Sequence, residues 1–544
     1  MIFRNKKAMA AVVVGMSLAG CGGGGGGGGD GSGSAVAPGS SSSQGTVAIT
    51  PKGPVVASIT AGESLSAVLE GTWQASNLPA GGAVHLKVSD PTGTFTNPAV
   101  QQAPANGAFR YDLAPKNLLL SGEHTGQLEI TACRDAGCSQ TWAPAVRVDF
   151  RISVGTLGEW ETLNRDATHA SFVPTSFDPT ALRMVWEWDA PEVAGAVERY
   201  IGRPTTTNGS LVVVSGGTTS DGSQRNTMFA FNEYDGSPLW SRPVPNGVSA
   251  VAPASNGALA YLVTLGSDTL INAYDGRTGA AAFNYTQATQ RLSAVLAPTH
   301  DRGQLFFFAG ANGEELHAAD ARTGARLWAS PRTLLQSTTP TLDSGHVYYQ
   351  AGNEIASIDR RNGAYVGSIW DMDSDGAVLP GSTTIALGSR NNLIARTYHP
   401  ARGQRLSSFD IASRTKQWIT SDRYGSFYAV GNGAVYATRS GQAYATIDAL
   451  DEATARILWT WTAPVADNQT RTLNNVVATR NMVFVSTEDA ATGRSLLWAI
   501  DAKTGQTAWR QEEGGYIVMS GNRTLYVVSR RGTAMDHVRA FRTP

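Results

Sequence analysis

From about Thr46 to Val154, apolar and polar residues alternate with a period of two. Val146, Val148, Phe150, Ile152 and Val154 fall on one side of such a segment, and Arg147, Asp149, Arg151 and Ser153 on the other. Successive side chains of a strand point to opposite faces, so this pattern predicts a strand with one face on a core. Val84, Leu86 and Val88 repeat it, as do Phe109, Tyr111 and Leu113, and Leu128, Ile130 and Ala132, with Gly, Pro and Asn clusters between them. Short strands over residues 46–155 predict a β-sandwich of immunoglobulin-like type, although the Cys…Trp…Cys spacing of true immunoglobulin domains is missing.

Beyond residue 155 the pattern changes to an internal repeat. Its clearest copy is Ala499-Ile500-Asp501-Ala502-Lys503-Thr504-Gly505-Gln506-Thr507-Ala508-Trp509. Ala318 to Trp328 keeps Asp320, Thr323 and Gly324, and Ala273 to Phe283 keeps Asp275, Thr278 and Gly279. Ala449 to Trp459, Ala230 to Trp240 and Ser408 to Trp418 are partial copies, and Ser357 to Gly367 has lost the aromatic residue. An eighth start at Ala540-Phe541 is cut short by the C-terminus. The eight starts recur with a mean interval of about 44 residues, the length of one four-stranded propeller blade.

Each copy predicts a strand, a tight turn at Thr-Gly and a second strand, because Gly tolerates the positive φ of such turns. Trp240, Trp328, Trp418, Trp459 and Trp509 are placed to wedge against the neighbouring blade. Apolar runs such as Leu211–Val214, Leu305–Phe308 and Val483–Val485 supply a further strand upstream. The incomplete eighth copy needs a partner, and Arg183-Met184-Val185-Trp186-Glu187-Trp188 is the segment that would supply it. Pairing the two ends of the domain in one blade removes open sheet edges. The fold expected is all-β: an eight-bladed β-propeller over 156–544 preceded by the sandwich, with seven or nine blades as the alternative count.

The repeat Ala-x-Asp-x-x-Thr-Gly-x-x-x-Trp resembles the tryptophan-docking repeat of pyrroloquinoline-quinone (PQQ) dehydrogenases and their non-enzymatic relatives. The likeness spans roughly Trp160 to Pro544. It implies the propeller fold, but these residues are structural and one fold hosts many functions. The family includes quinoprotein alcohol dehydrogenases and the cofactor-free propeller lipoprotein of the outer-membrane β-barrel assembly machinery.

The N-terminus reads as an address. Arg4, Lys6 and Lys7 precede the apolar run Ala8–Leu18, which is too short to span a bilayer but suits a signal peptide. Leu18-Ala19-Gly20-Cys21 looks like the lipobox of bacterial lipoproteins, which implies a signal peptide over 1–20 and lipidation of Cys21. Gly22, in place of Asp, favours the outer membrane by the same resemblance. Eight glycines and a Ser/Gly-rich stretch then make residues 21–45 a flexible tether. Cys133 and Cys138, the other two of three cysteines, read as a disulfide in an exported chain.

Composition narrows the partners. With 43 basic and 44 acidic residues the net charge is -1, so there is no electrostatic footprint for nucleic acid. The eight histidines are scattered, and the propeller region has no cysteine, no Cys-x-x-Cys-His and no Gly-x-Ser-x-Gly. No segment matches the family's calcium ligands or catalytic base, so PQQ and catalysis are not expected. Asp371, Asp373 and Asp375, followed by Gly376, have the spacing of a Ca²⁺ loop, but Leu379 and Ser382 stand where further ligands belong. A structural Ca²⁺ clip and a solvated acidic loop are the two readings. The function expected is a lipid-anchored, non-catalytic scaffold that binds envelope proteins through its propeller loops. A quinone-dependent oxidoreductase and a surface adhesin or glycan binder are the alternatives.

Overall fold

A computed structural model describes residues 45–543 apart from 62, 64, 106, 117–118, 120, 245–248, 251–252, 266–268, 288–296, 311–314, 334–338, 375–384 and 532–533. The signal peptide, the tether, Cys21 and Asp375 lie outside the described residues. Among the described residues no helix is long and apolar enough to cross a membrane.

The first region is two sheets over one core. One has the order Thr46–Pro51, Ala67–Ser76, Ala108–Leu113. The other runs Val55–Thr60, Val146–Gly155, Gly122–Cys133, His85–Ser89, Gln101–Gln102, and its first pair is parallel. The alternation decides which residues go inside: Val148, Phe150, Ile152 and Val154 are buried, whereas Arg147, Asp149 and Arg151 are exposed. Leu86, Leu128 and Ile130 extend that face along the same sheet, and Leu69 and Tyr111 meet it from the other. Cys133 closes a disulfide with Cys138 at the end of the hairpin, with Cα atoms 4.9 Å apart.

The second region is a β-propeller. Among the described residues its strands pair into eight successive antiparallel units. The third unit is typical: Thr299–Asp301 innermost, then Gln304–Ala309, Glu315–Asp320 and Arg326–Thr333. The second strands are nearly continuous apolar runs because both faces of each blade meet a neighbour. Leu305 and Phe306, for example, are wholly buried. Separate cores sit between consecutive blades, as where Val212, Met228 and Trp240 of the first meet Ala260 and Leu262 of the second.

The last unit is built from both ends of the region. Gly515–Met519, Leu525–Arg531 and Ala534–Arg542 come from the C-terminus, and Arg183–Asp189 adds the outer strand antiparallel to Ala534–Arg542. This is the pairing expected from the truncated eighth copy. A large core covers the junction, uniting Trp186, Val213, Phe231, Phe484, Ile517, Tyr526 and Val538.

Candidate functional site

The repeat motif builds the contact between blades. In four copies an aspartate carboxylate accepts a hydroxyl bond from the threonine three residues on: Asp275–Thr278 and Asp451–Thr454 at 2.8 Å, Asp320–Thr323 and Asp501–Thr504 at 2.9 Å. The same oxygens accept the N–H groups of that threonine and of the residue before it. The threonine hydroxyl, first among these donors, holds the Asp320 and Asp451 carboxyls below their ordinary value. The residue that follows has positive φ, Gly279, Gly324 and Gly505 in three copies and Ala455 in the fourth, and each of the three glycines lies under an aromatic ring of the preceding blade. A Cβ on Gly279 would meet Trp240 at 2.6 Å, and one on Gly505 would meet Trp459 at 2.7 Å.

Each docked indole also donates to the turn beneath it. Trp240 Nε1 bonds the Gly276 carbonyl at 3.0 Å, Trp328 that of Arg360 at 2.9 Å, Trp418 that of Glu452 at 2.9 Å and Trp459 that of Ala502 at 3.0 Å. Trp509 also packs towards the next blade but lacks the bond. The eighth blade has no such turn, so among the described residues Trp509 makes no carbonyl bond and packs on the closure core instead. Trp186 completes the ring by docking on Gly236 and donating to the Glu233 carbonyl of the first blade at 3.0 Å. The sequence places Trp186 in the closing strand and carries no mark of this role.

A segment that carried no sequence signal occupies the axis. Residues 157–173 form a strap across the ends of the innermost strands, on the face that bears the Asp-x-x-Thr-Gly turns. Thr206 N–H donates to the Trp160 carbonyl at 3.0 Å, Ser255 N–H to Glu161 at 2.7 Å, and the Thr162 hydroxyl to Pro298 at 2.9 Å. Farther round, Leu342 N–H bonds Ala167 (2.9 Å), Leu387 bonds Thr168 (2.8 Å), Val430 bonds Ala170 (2.8 Å) and Ala478 bonds Ser171 (2.9 Å). Leu157 N–H reaches Gly521 of the eighth blade at 3.1 Å. All eight blades are therefore tied to one short segment.

The strap is held closed from within. Arg165 donates to the carbonyls of Leu157 (2.5 Å) and Phe172 (2.7 Å). His169 is fully buried between the carbonyls of Leu163 and Pro340, the latter at 2.9 Å. Burial presses its basicity below the ordinary value. Asn164, Arg165, His169 and Ser171 all adopt positive φ, which is uncommon for residues with a Cβ. Such strain persists only where surrounding bonds over-determine the backbone.

Beside the strap lies a polar node. Glu233 is buried and accepts bonds from the hydroxyls of Ser520 and Thr524 (the latter at 2.6 Å) and from Asn522 Nδ2 at 2.9 Å. Glu159, at the start of the strap, accepts Gly521 N–H at 3.2 Å. Burial, reinforced by the nearby Glu233 charge, pushes the Glu159 carboxyl up to about 7. Asn522 Oδ1 also accepts the N–H of Ser121, so the same turn touches the sandwich. An Arg480–Glu63 contact of 3.9 Å adds to that interface.

The opposite face carries the loops that join one blade to the next, including the acidic loop. Asp371 is buried and Asp373 exposed. Both bind Lys416 Nζ, at 2.8 Å for Asp371. His399 lies 3.4 Å from the other Asp371 oxygen, and its Nδ1 faces the Asp373 carbonyl at 3.0 Å. An ammonium ion from the fifth blade thus sits on the two described members of the predicted Ca²⁺ loop. Among the described residues no three His, Cys, Asp or Glu side chains converge to hold a metal ion.

Known proteins share this architecture. No curated protein sequence matches the chain. BamB from Moraxella catarrhalis is 17% identical over 66% of this chain and 99% of its own, with a TM-score of 0.47. A europium-containing methanol dehydrogenase is 13% identical over 68% of this chain and 89% of its own, with a TM-score of 0.50. The quinohemoprotein alcohol dehydrogenase from Comamonas testosteroni is 12% identical over 71% of this chain and 81% of its own, with a TM-score of 0.48. At 13% identity the likeness to the methanol dehydrogenase speaks for the fold alone. The family described as outer membrane protein assembly factor BamB matches residues 173–376 and 390–539. That match covers more than half of the chain, and the chain belongs to the BamB family of PQQ-repeat β-propellers.

Proposed function

We propose that this protein is a non-catalytic scaffold, anchored to the bacterial outer membrane by a lipid on Cys21, that holds envelope proteins on the propeller face opposite the strap. The observation that carries this reading is the strap itself. Its bonds to every blade close the axis at one end and make the ring rigid. The sandwich contacts, through Asn522 and Arg480, lie on that same closed face. The inter-blade loops of the other face are left to meet a partner, and loops on a rigid scaffold are where binding residues concentrate. Membership of the BamB family supports a protein-binding role in the envelope.

Site-specific photo-cross-linking in intact envelopes tests the reading. Met372 is 82% exposed at the end of an outer strand on the open face. Lys503 is exposed in a turn on the strap face. A cross-linker at Met372 is expected to trap one envelope protein stoichiometrically, and one at Lys503 to trap none. Adducts from Lys503 alone, or from neither position, would overturn the assignment. Cys21→Ala is expected to move the protein from the membrane to the soluble fraction.

A further inference from the structure

We propose that Arg402, Arg405 and Arg423 form a binding site for a phosphate-type oxyanion on the open face, between the fifth and sixth blades. The three come from separate places. Arg402 tops the hairpin between Asn392–His399 and Gly403–Asp410, Arg405 lies on its second strand, and Arg423 precedes the inner strand Tyr424–Gly431. The hairpin and the link are joined directly: Arg423 Nε donates to the Arg402 carbonyl at 3.2 Å. Gly403 permits that approach, since a Cβ there would stand 3.1 Å from Arg423 Nε.

The charge of this neighbourhood does not balance. Asp371 and Asp373 are taken by Lys416. Asp448 is taken by Arg439 at 2.6 Å and by the Tyr424 hydroxyl at 2.8 Å. Asp422, a carboxylate close to Arg405, lies 3.5 Å from Arg439. Among the described residues none of the three arginines has a carboxylate within ion-pair distance.

Arg402 and Arg423 are exposed, but Arg405 is only 8% exposed, and its Nε and Nη1 have no hydrogen-bond partner. Burying a guanidinium with unmet donors is costly, so such a group is ordinarily paired. Burial and then the Arg423 charge lower the proton affinity of Arg405, with Asp422 opposing them and Arg402 adding a smaller repulsion. Of the three arginines, Arg402 alone lines a neighbouring cavity of about 360 Å³, which it shares with Asp373, His399, Pro400, Ala401 and Ile419.

Arginine presents planar pairs of donors, and a tetrahedral oxyanion offers three or four acceptor oxygens to a convergent set. A carboxylate offers two, fewer than three guanidiniums can use. The shared chemistry is therefore that of a phosphate, whether free or on a lipid headgroup.

The test titrates the full chain, in neutral detergent at physiological salt, with inorganic pyrophosphate by calorimetry. Saturable binding is expected, weakened about tenfold or more by Arg405→Ala and by Arg423→Ala. Arg147→Ala, which removes a sandwich arginine paired with Glu129, is expected to leave it unchanged. Should Arg405→Ala fail to fold, Arg423→Ala and Arg402→Ala alter exposed side chains and carry the test alone. The source is distinguished with the Cys21→Ala chain and vesicles of phosphatidylglycerol or phosphatidylcholine. Arg423-dependent capture on phosphatidylglycerol alone assigns the site to a headgroup, and pyrophosphate binding without capture assigns it to a free phosphate. No saturable binding of either probe, or binding indifferent to all three substitutions, would overturn the proposal.

Discussion

Arg414 occupies the place of a missing tryptophan at Gly367. Gly367 stands where other copies of the repeat have an aromatic ring, and Arg414 stands where the next copy should have its glycine. A Cβ on Gly367 would come within 2.0 Å of Arg414 Nη1. Arg414 keeps the positive φ of the turn (58°) and donates to the Val366 carbonyl at 3.2 Å. The docking contact between the fourth and fifth blades has exchanged its partners, with the large side chain now on the turn.

This exchange predicts strong coupling. Gly367→Trp alone should be destabilising, because the ring and the guanidinium claim one space. Arg414→Gly alone leaves a gap. Gly367 has φ of 150°, which strains any side chain placed there, so the double substitution should recover only the part of the loss that comes from the clash, a coupling energy of roughly 1–3 kcal/mol. Denaturant unfolding of the four chains measures it, and additive effects would reject the exchange.

The indole bonds predict a graded response at Trp328. Trp328→Phe keeps most of the ring but leaves the Arg360 carbonyl without its 2.9 Å donor. A loss of about 1 kcal/mol is expected. Trp328→Ala should cost about 3–5 kcal/mol, because the ring is buried against Phe306. Equal losses from the two variants would mean that the ring contributes no packing.

Glu159 predicts a pH dependence with a definite sign. Its carboxyl is raised from 4.5 to about 7 in the folded protein, so the folded state holds the proton more tightly than the unfolded chain. The stability this contributes is fully present below about pH 4.5 and is lost as pH rises through about 7, a change on the order of 3 kcal/mol. Glu159→Gln, which cannot ionise, should flatten that part of the profile and unfold at higher denaturant than the parent at pH 8. Parallel profiles for the two chains between pH 5 and pH 8 would remove Glu159 from the account.

The disulfide predicts a local effect. It closes a loop of only a few residues, so replacing Cys133 and Cys138 by Ser should cost about 2 kcal/mol on chain-entropy grounds. The loss should fall on the sandwich, with the propeller's unfolding transition unmoved in calorimetry. A shift of the propeller transition would show that the two regions unfold together.

Much of this protein was legible in the chain by itself. Period-two alternation is a property of neighbouring residues, so Val148, Phe150 and Ile152 declared their buried face without any distant partner. The Asp-x-x-Thr-Gly turn is equally local: its carboxylate, hydroxyl and positive-φ glycine lie within five residues, and it recurs with the spacing of a blade. The closure by Arg183–Asp189 was legible too, because an incomplete last copy leaves an unpaired edge. The tertiary structure decided the rest. The strap binds the blades mostly through backbone groups, which every residue possesses and no side-chain pattern marks. Lys416 reaches Asp371 across 45 positions of sequence, a pairing that no local pattern around Asp371 could mark. Arg414 could be understood only once Gly367 was beside it, because a docking contact belongs to two blades and each copy of the repeat describes one.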